Sequence, residues 1–225
     1  MTSDFSEHRV RRELSFDPGR TAVLVIDMLN DFLHTEGAMP LPAGQTLYEP
    51  IGHLLSAARA AGSQVTWICD EHPEKDREFD KRSVHCLRGT WGAEIVPELG
   101  ERPDEYRVPK RRYSGFYETD LDLRLRETGV LHVILTGVAT NICVRSTAHD
   151  AFFRGYDVII PKECVMATSP REQESSLYDL DTHYGSVVDL EAVLGIFSTP
   201  AAFGGGADAR RLTSPPTVAV QDEDA

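Results

Sequence analysis

Short, continuous apolar runs rich in β-branched residues alternate along this chain with segments of helical period, and that alternation restricts the fold more than any other feature. Thr21–Asp27 (TAVLVID), Ser63–Cys69 (SQVTWIC), Tyr106–Pro109, Leu131–Thr136, Tyr156–Pro161 and Ser186–Asp189 read as strands. Strands covered on both faces lose the apolar–polar alternation of half-exposed ones, as these have. Between the first two signals, Thr46–Ala61 sets Leu47, Ile51, Leu54, Leu55 and Ala58 on one side, with Gly62 past its end. A short helix is predicted over Ala93–Leu99, another over Asp120–Glu127 with Thr119 as N-cap, and longer ones over Asn141–Arg154, Pro170–His183 and Glu191–Phe197. Strand–helix–strand order predicts an α/β domain of three layers, α-β-α, on a mostly parallel six-stranded sheet.

That domain is expected to span residues 15–197, preceded by an N-terminal arm over 1–14. A flexible acidic tail over 198–225 is expected from its Gly, Pro and charge content. Two connections are predicted as loops: Met28–Gln45, which carries Gly37, Pro40 and Pro42, and the highly charged stretch Asp70–Thr90. Loops of that length inside a domain tend to carry function.

Composition excludes some partners. A net charge of −13 over 225 residues argues against nucleic acid and against an anionic membrane surface, since either favours a basic patch. The four cysteines, Cys69, Cys86, Cys143 and Cys164, are widely spaced and form no CxxC pair. The first residues lack an apolar signal core, and no apolar run is long enough to span a bilayer. A cytoplasmic protein with reduced thiols is expected.

In open parallel sheets ligands bind at the carboxyl ends of strands. Three chemically capable residues fall there: Asp27 after Val23-Leu24-Val25-Ile26, Lys110 after YRVP, and Cys143 in LHVILTGVATNICVRSTAH. The spacing places Cys143 in the first turn of a helix, where free amides and the helix dipole favour a thiolate and should lower its pKa. Each residue has an ordinary alternative: a turn-capping aspartate, a solvated lysine in Lys110-Arg111-Arg112, a buried inert thiol. Together they supply a proton acceptor, a fixed cation and a nucleophile.

VIDMLNDF at Val25–Phe32, the lysine followed by Tyr113-Ser114-Gly115-Phe116, and GVATNICVRSTAHDAFFRGYDV at Gly137–Val158 resemble the isochorismatase-like cysteine hydrolases. That family includes nicotinamidases, N-carbamoylsarcosine amidases, ureidoacrylate and biuret hydrolases, and isochorismatases. The resemblance runs from about Asp17 to Leu194 and implies a Rossmann-like isochorismatase fold. It implies that Asp27, Lys110 and Cys143 form the catalytic triad. The backbone N–H groups of Ala139 and Cys143 would form the oxyanion hole, with a cis peptide before Ala139. The cysteine favours hydrolysis of a C–N bond in a small amide, carbamoyl or ureido substrate over vinyl-ether cleavage. Leu29 departs from the pattern, which often has Gln there. Family members are commonly dimers or tetramers, so a homo-oligomer is expected.

The thiol chemistry requires no cofactor, but a divalent, zinc-like metal is a further expectation. In extended backbone Asp70 and His72 point the same way, and His85 lies further along the loop. D-x-H-P, then His85-Cys86 and Gly89-Thr90-Trp91-Gly92-Ala93-Glu94, is similar to nicotinamidases, and the match maps Asp70, His72 and His85 onto metal ligands. Loop histidines are more often solvated. Phe32, Tyr113, Phe116 and Trp91 are the aromatic candidates for the wall of a substrate pocket. A non-catalytic binding protein on the same scaffold and a hydrolase relying on the metal alone are the competing readings.

Overall fold

The apolar runs become strands of one sheet in the computed structural model, which describes residues 8–10 and 13–199. The strands are β1 (Thr21–Ile26), β2 (Gln64–Asp70), β3 (Tyr106–Lys110), β4 (His132–Val138), β5 (Asp157–Pro161), β6 (Val165–Met166) and β7 (Ser186–Val188). Their order is β3-β2-β1-β4-β5-β7, with β6 paired to the end of β4, and every pairing is parallel. The expected sheet had six strands; it has seven. The additional one, β6, is two residues long, too short for any periodicity to announce it.

The helices are α1 (Asn30–Leu33), α2 (Tyr48–Ala60), α3 (Leu121–Glu127), α4 (Arg145–Phe153), α5 (Pro170–Asp179) and α6 (Leu190–Ser198). Successive side chains of β1 point to opposite faces and feed two cores. Val23 and Val25 lie with Ile51, Leu54, Leu55 and Ala58 of α2 and Val193 and Phe197 of α6. Ala22, Leu24 and Ile26 lie with Leu121 and Leu125 of α3 and Ala148 and Ala151 of α4. Burying each leucine contributes about 1.5–3 kcal/mol, so these stripes hold the three layers together. Among the described residues no helix is long and apolar enough to cross a membrane.

Local departures from the expected elements have identifiable causes. Met28–Gln45 is not wholly loop: α1 forms inside it, with Asn30, Asp31, Phe32 and Leu33 all buried. Ala93–Leu99 is not one helix but parts of two 3-10 turns, Trp91–Ala93 and Pro97–Leu99, because Pro97 restarts the chain. The N-cap position of α3 is Asp120, while the Thr119 hydroxyl donates to the Gly115 carbonyl. Most of the arm over 1–14 and of the tail over 198–225 lies outside the described residues.

β1 is the turning point of the sheet, since β2 and β3 follow on one side and β4 and β5 on the other. The carboxyl ends of β1 and β4 are therefore neighbours, with those of β2 and β3 beside them. Gly137 makes the close pairing possible. It sits opposite Ile26 with φ 100°, and a Cβ there would lie 2.0 Å from the Ile26 carbonyl oxygen.

Candidate active site

Asp27 follows β1 in a left-handed conformation, φ 51°, which aspartate tolerates better than most residues. Its N–H donates to the Ile68 carbonyl at 2.8 Å, and its Oδ1 accepts from the Asp70 N–H at 2.9 Å. The turn is thus sewn to the end of β2. Lys110 closes β3 in register with Asp70. Its Nζ lies 2.9 Å from Asp27 Oδ2 and 3.5 Å from Cys143 Sγ, and it donates a short hydrogen bond to Asp70 Oδ1. The strand ends therefore converge on one buried ammonium, whose residue is 1% exposed.

Cys143 does not occupy the first turn of an α-helix. It lies in a π-turn, Thr140–Val144, that precedes α4. The Ala139 carbonyl accepts from the N–H groups of Ile142 and Val144 at 2.9 and 3.2 Å, wrapping the turn around the cysteine. The Val138–Ala139 peptide is cis, as expected. Asp27, Asp70 and Cys143 present side-chain atoms within 4.8 Å of one another.

The electrostatics reverse one expectation. The Cys143 thiol is not lowered toward neutrality. Burial, with the Asp27 carboxylate beside it, pushes its pKa well up despite Lys110. Burial and the neighbouring Asp70 carboxylate push Asp27 up as well, to about 6, against the opposing pull of Lys110. Burial alone would discharge Lys110, but the Asp27 and Asp70 carboxylates outweigh it and hold the lysine charged. At neutral pH the site therefore holds a thiol beside an ionised carboxylate, an arrangement set to move one proton between them.

Asp70 joins this cluster to a second. While Oδ1 meets Lys110, Oδ2 lies 3.7 Å from Nε2 of both His72 and His85. The three residues are buried and their ligand atoms lie within 4.8 Å of one another. His85 Nδ1 is 2.6 Å from the Ser83 carbonyl oxygen, and His72 Nδ1 is 3.2 Å from Asp76 Oδ2, so both rings turn Nε2 toward Asp70. His72 Nε2 is buried with no hydrogen-bond partner. A carboxylate oxygen and two imidazole nitrogens, one of them buried without a partner, fit a zinc-like cation. Burial opposes protonation of His72 and His85, yet the Asp70 carboxylate raises both pKa values, a measure of how strongly this spot attracts positive charge.

A cavity of about 490 Å³, its open mouth included, ends on Asp27, Asp70 and Cys143. Phe32 and Tyr113 are among its lining residues. Phe116 is not. It belongs to the core on the α3/α4 side, with its ring stacked on Tyr156 at 5.9 Å. Trp91 also lies elsewhere, 45% exposed and edge-on to His34 at 5.0 Å. Leu29 is fully buried in the core, bridged to Ile95, so the departure from Gln falls outside the cavity lining.

Sequence reasoning missed Met39, Leu41, Glu78, Arg82, Ile142 and Thr168 in that lining. Glu78 Oε1 comes within 4.0 Å of His85 Nε2, close to the candidate metal ligands. Its only signal was membership of the charged stretch Asp70–Thr90, where it is one acidic residue among several. Cys69, Cys86 and Cys164 are free and buried, in keeping with packing roles.

A model of the isochorismatase domain matches residues 21–192. Among solved structures, an isochorismatase-like hydrolase from Alkaliphilus metalliredigens is 38% identical at a TM-score of 0.75, covering 78% of this chain and 98% of its own. A pyrazinamidase from Pyrococcus horikoshii in complex with zinc is 32% identical at 0.71, covering 76% of this chain and 99% of its own. An N-carbamoylsarcosine amidase from Thermoplasma acidophilum is 31% identical at 0.70, covering 76% and 97%.

Proposed function

This chain belongs to the isochorismatase family of hydrolases, and from that premise we propose that it is a cysteine-dependent amidohydrolase. It would cleave a C–N bond of a small amide, carbamoyl or ureido substrate through a thioester-type acyl-enzyme. The observation that carries this reading is the buried ammonium of Lys110, 2.9 Å from the carboxylate of Asp27 and 3.5 Å from Sγ of Cys143, two residues that line the cavity.

In this mechanism Asp27 takes the thiol proton as Sγ forms its bond to the carbonyl carbon. The backbone N–H groups of Ala139 and Cys143 receive the developing oxyanion; one such donor is typically worth about 2.7–4 kcal/mol. As the C–N bond breaks, Asp27 returns the proton to the departing nitrogen, leaving a thioester and a neutral amine or ammonia. Asp27, again ionised, then accepts a proton from the water that attacks the thioester, and Cys143 leaves as the thiol. Lys110 keeps its charge throughout and holds both partners in place.

Asp70, His72 and His85 would hold a zinc-like cation, which when bound supplies a positive centre for a lone pair of the substrate or for water. This set favours a second, narrower reading, conversion of nicotinamide to nicotinate, because a zinc-bound pyrazinamidase is among the similar structures. A small-molecule substrate, a homo-oligomeric state and a cytoplasmic setting belong to the same proposal.

Ammonia release from nicotinamide, ureidoacrylate, biuret, N-carbamoylsarcosine and simple amides, with Cys143→Ala in parallel, tests it. Turnover of one substrate that disappears in the variant is expected. Turnover that survives the substitution would overturn the covalent mechanism and move the chemistry to the metal. Silence on the whole panel would favour a binding protein on this scaffold.

A further inference from the structure

Asp76 has no part in the mechanism above, yet it is among the most heavily engaged side chains in the molecule. Its carboxylate is fully buried, although it sits in the charged loop after β2. Oδ1 accepts from the Glu78 N–H at 3.0 Å and from Arg112 Nη1 at 2.9 Å. Oδ2 accepts from Nε and Nη2 of Arg111 at 3.1 and 3.0 Å, and lies 3.2 Å from His72 Nδ1. Arg111 and Arg112 directly follow Lys110, so one carboxylate ties the loop bearing His72 and His85 to the end of β3. The approach to His72 is close but bent, a charge–dipole contact rather than a straight hydrogen bond, since Nδ1 has no aligned partner.

A histidine binds a metal through the nitrogen that lacks the proton, and the group facing the other nitrogen decides which one that is. An acceptor-only carboxylate at Nδ1 keeps the proton there. It leaves the Nε2 lone pair facing Asp70 Oδ2 and His85. The two guanidiniums keep that carboxylate ionised and fixed in the interior, where an unpaired charge would be costly.

We propose that Asp76 is a positioning residue for metal capture, holding His72 with Nε2 available to a divalent cation while Arg111 and Arg112 fix the carboxylate to the strand that ends in Lys110. The inference rests on the reading of Asp70, His72 and His85 as metal ligands. It goes beyond that reading in assigning a role to a residue that touches neither metal nor substrate.

Cobalt(II) titration of the full chain, followed by its visible absorption and by competition with a chelator, tests it. Asp76→Ala is expected to weaken the dissociation constant by about 10–100-fold and to alter the cobalt spectrum. Asp76→Asn, which keeps the shape and one acceptor oxygen, should weaken it less. Arg111→Gln with Arg112→Gln should lower the melting temperature and weaken cobalt binding, but by less than Asp76→Ala does, because the carboxylate facing His72 remains. Exposed Asp80→Asn should change neither. An unchanged dissociation constant in Asp76→Ala would overturn the proposal. So would an arginine double variant as impaired in cobalt binding as Asp76→Ala, because Asp76 would then be a loop fastener only. If Asp76→Ala does not fold, Asp76→Asn decides by the same comparison. If the unsubstituted protein takes up no cobalt, the metal reading falls and this inference with it, while ammonia release that depends on Cys143 remains separately measurable.

Discussion

At the scale of single residues, the proposed chemistry turns on one proton passing between Cys143 and Asp27. Burial pushes Asp27 up to about 6, so its carboxylate is lost to protonation as the pH falls through that value, well above the range of an exposed aspartate. A protonated Asp27 has no room for the thiol proton. The value of kcat/KM should therefore rise through an acid limb near pH 6 and level off above it, the limb belonging to the interacting set rather than to one group. Asp27→Asn should remove the limb together with a factor of about 10²–10⁴ in rate. A pH–rate profile that stays level down to the ordinary carboxylate range would exclude Asp27 as the acceptor. The raised Cys143 pKa carries a companion expectation. Iodoacetamide should label Cys143 slowly at neutral pH in the absence of substrate, whereas fast labelling there would require a preformed thiolate. Its sequence position suggested the opposite, because the pull of a helix terminus is visible in a sequence, while complete burial beside a second negative charge depends on the folded chain.

Elements set the accuracy of this site, and β4 with the turn that follows it sets most of it. Gly137 pairs with Ile26 so closely that a side chain would meet the Ile26 carbonyl oxygen at 2.0 Å, on a backbone with φ 100°. Gly137→Ala should destabilise the fold by more than about 1 kcal/mol, because alanine disfavours that backbone and the clash is with main chain. It should also cost activity, since β1 and β4 carry Asp27 and Cys143 on their carboxyl ends. Denaturant unfolding with kcat/KM measured below the transition checks both; unchanged stability would mean that the strands separate without consequence. The strands and longer helices were legible because both faces of the sheet are buried and α2 shows a clean stripe. The π-turn, β6 and α1 were not. A π-turn differs from an α-turn only in where its hydrogen bonds close, β6 is two residues long, and α1 is four residues that are all buried and so have no polar face.

For the whole molecule, the sheet order explains which parts of the site could be read in advance. That Asp27, Lys110 and Cys143 would meet was legible because each lies at or just beyond the carboxyl end of a strand, and parallel strands deliver their ends to one side. That Asp70 would join Lys110 to both histidines was not legible, because it depends on the register that pairs Asp70 with Lys110 across β2 and β3. Phe116 and Trp91 were misplaced for a related reason: an aromatic residue near a site in sequence fits a pocket wall, a core or a surface equally well until the loops are folded. The same arrangement makes the candidate metal site a property of the entire fold. Asp70 ends a central strand, and His72 and His85 are held by the loop that crosses it, so a cation bound by all three stabilises the folded state over an unfolded chain that scatters them. At a free zinc concentration about 100 times the dissociation constant the gain is about 2.7 kcal/mol. At about 2–4 °C per kcal/mol for a chain of this size, the melting temperature should rise by roughly 5–11 °C and return on chelation. His85→Ala should fold but lose the zinc-dependent part of that shift, because two ligands do not close the site. Melting curves with zinc, with chelator and for the variant decide the matter. Equal midpoints in zinc and chelator would mean that Asp70, His72 and His85 hold no cation, and that their buried charges serve Lys110 alone.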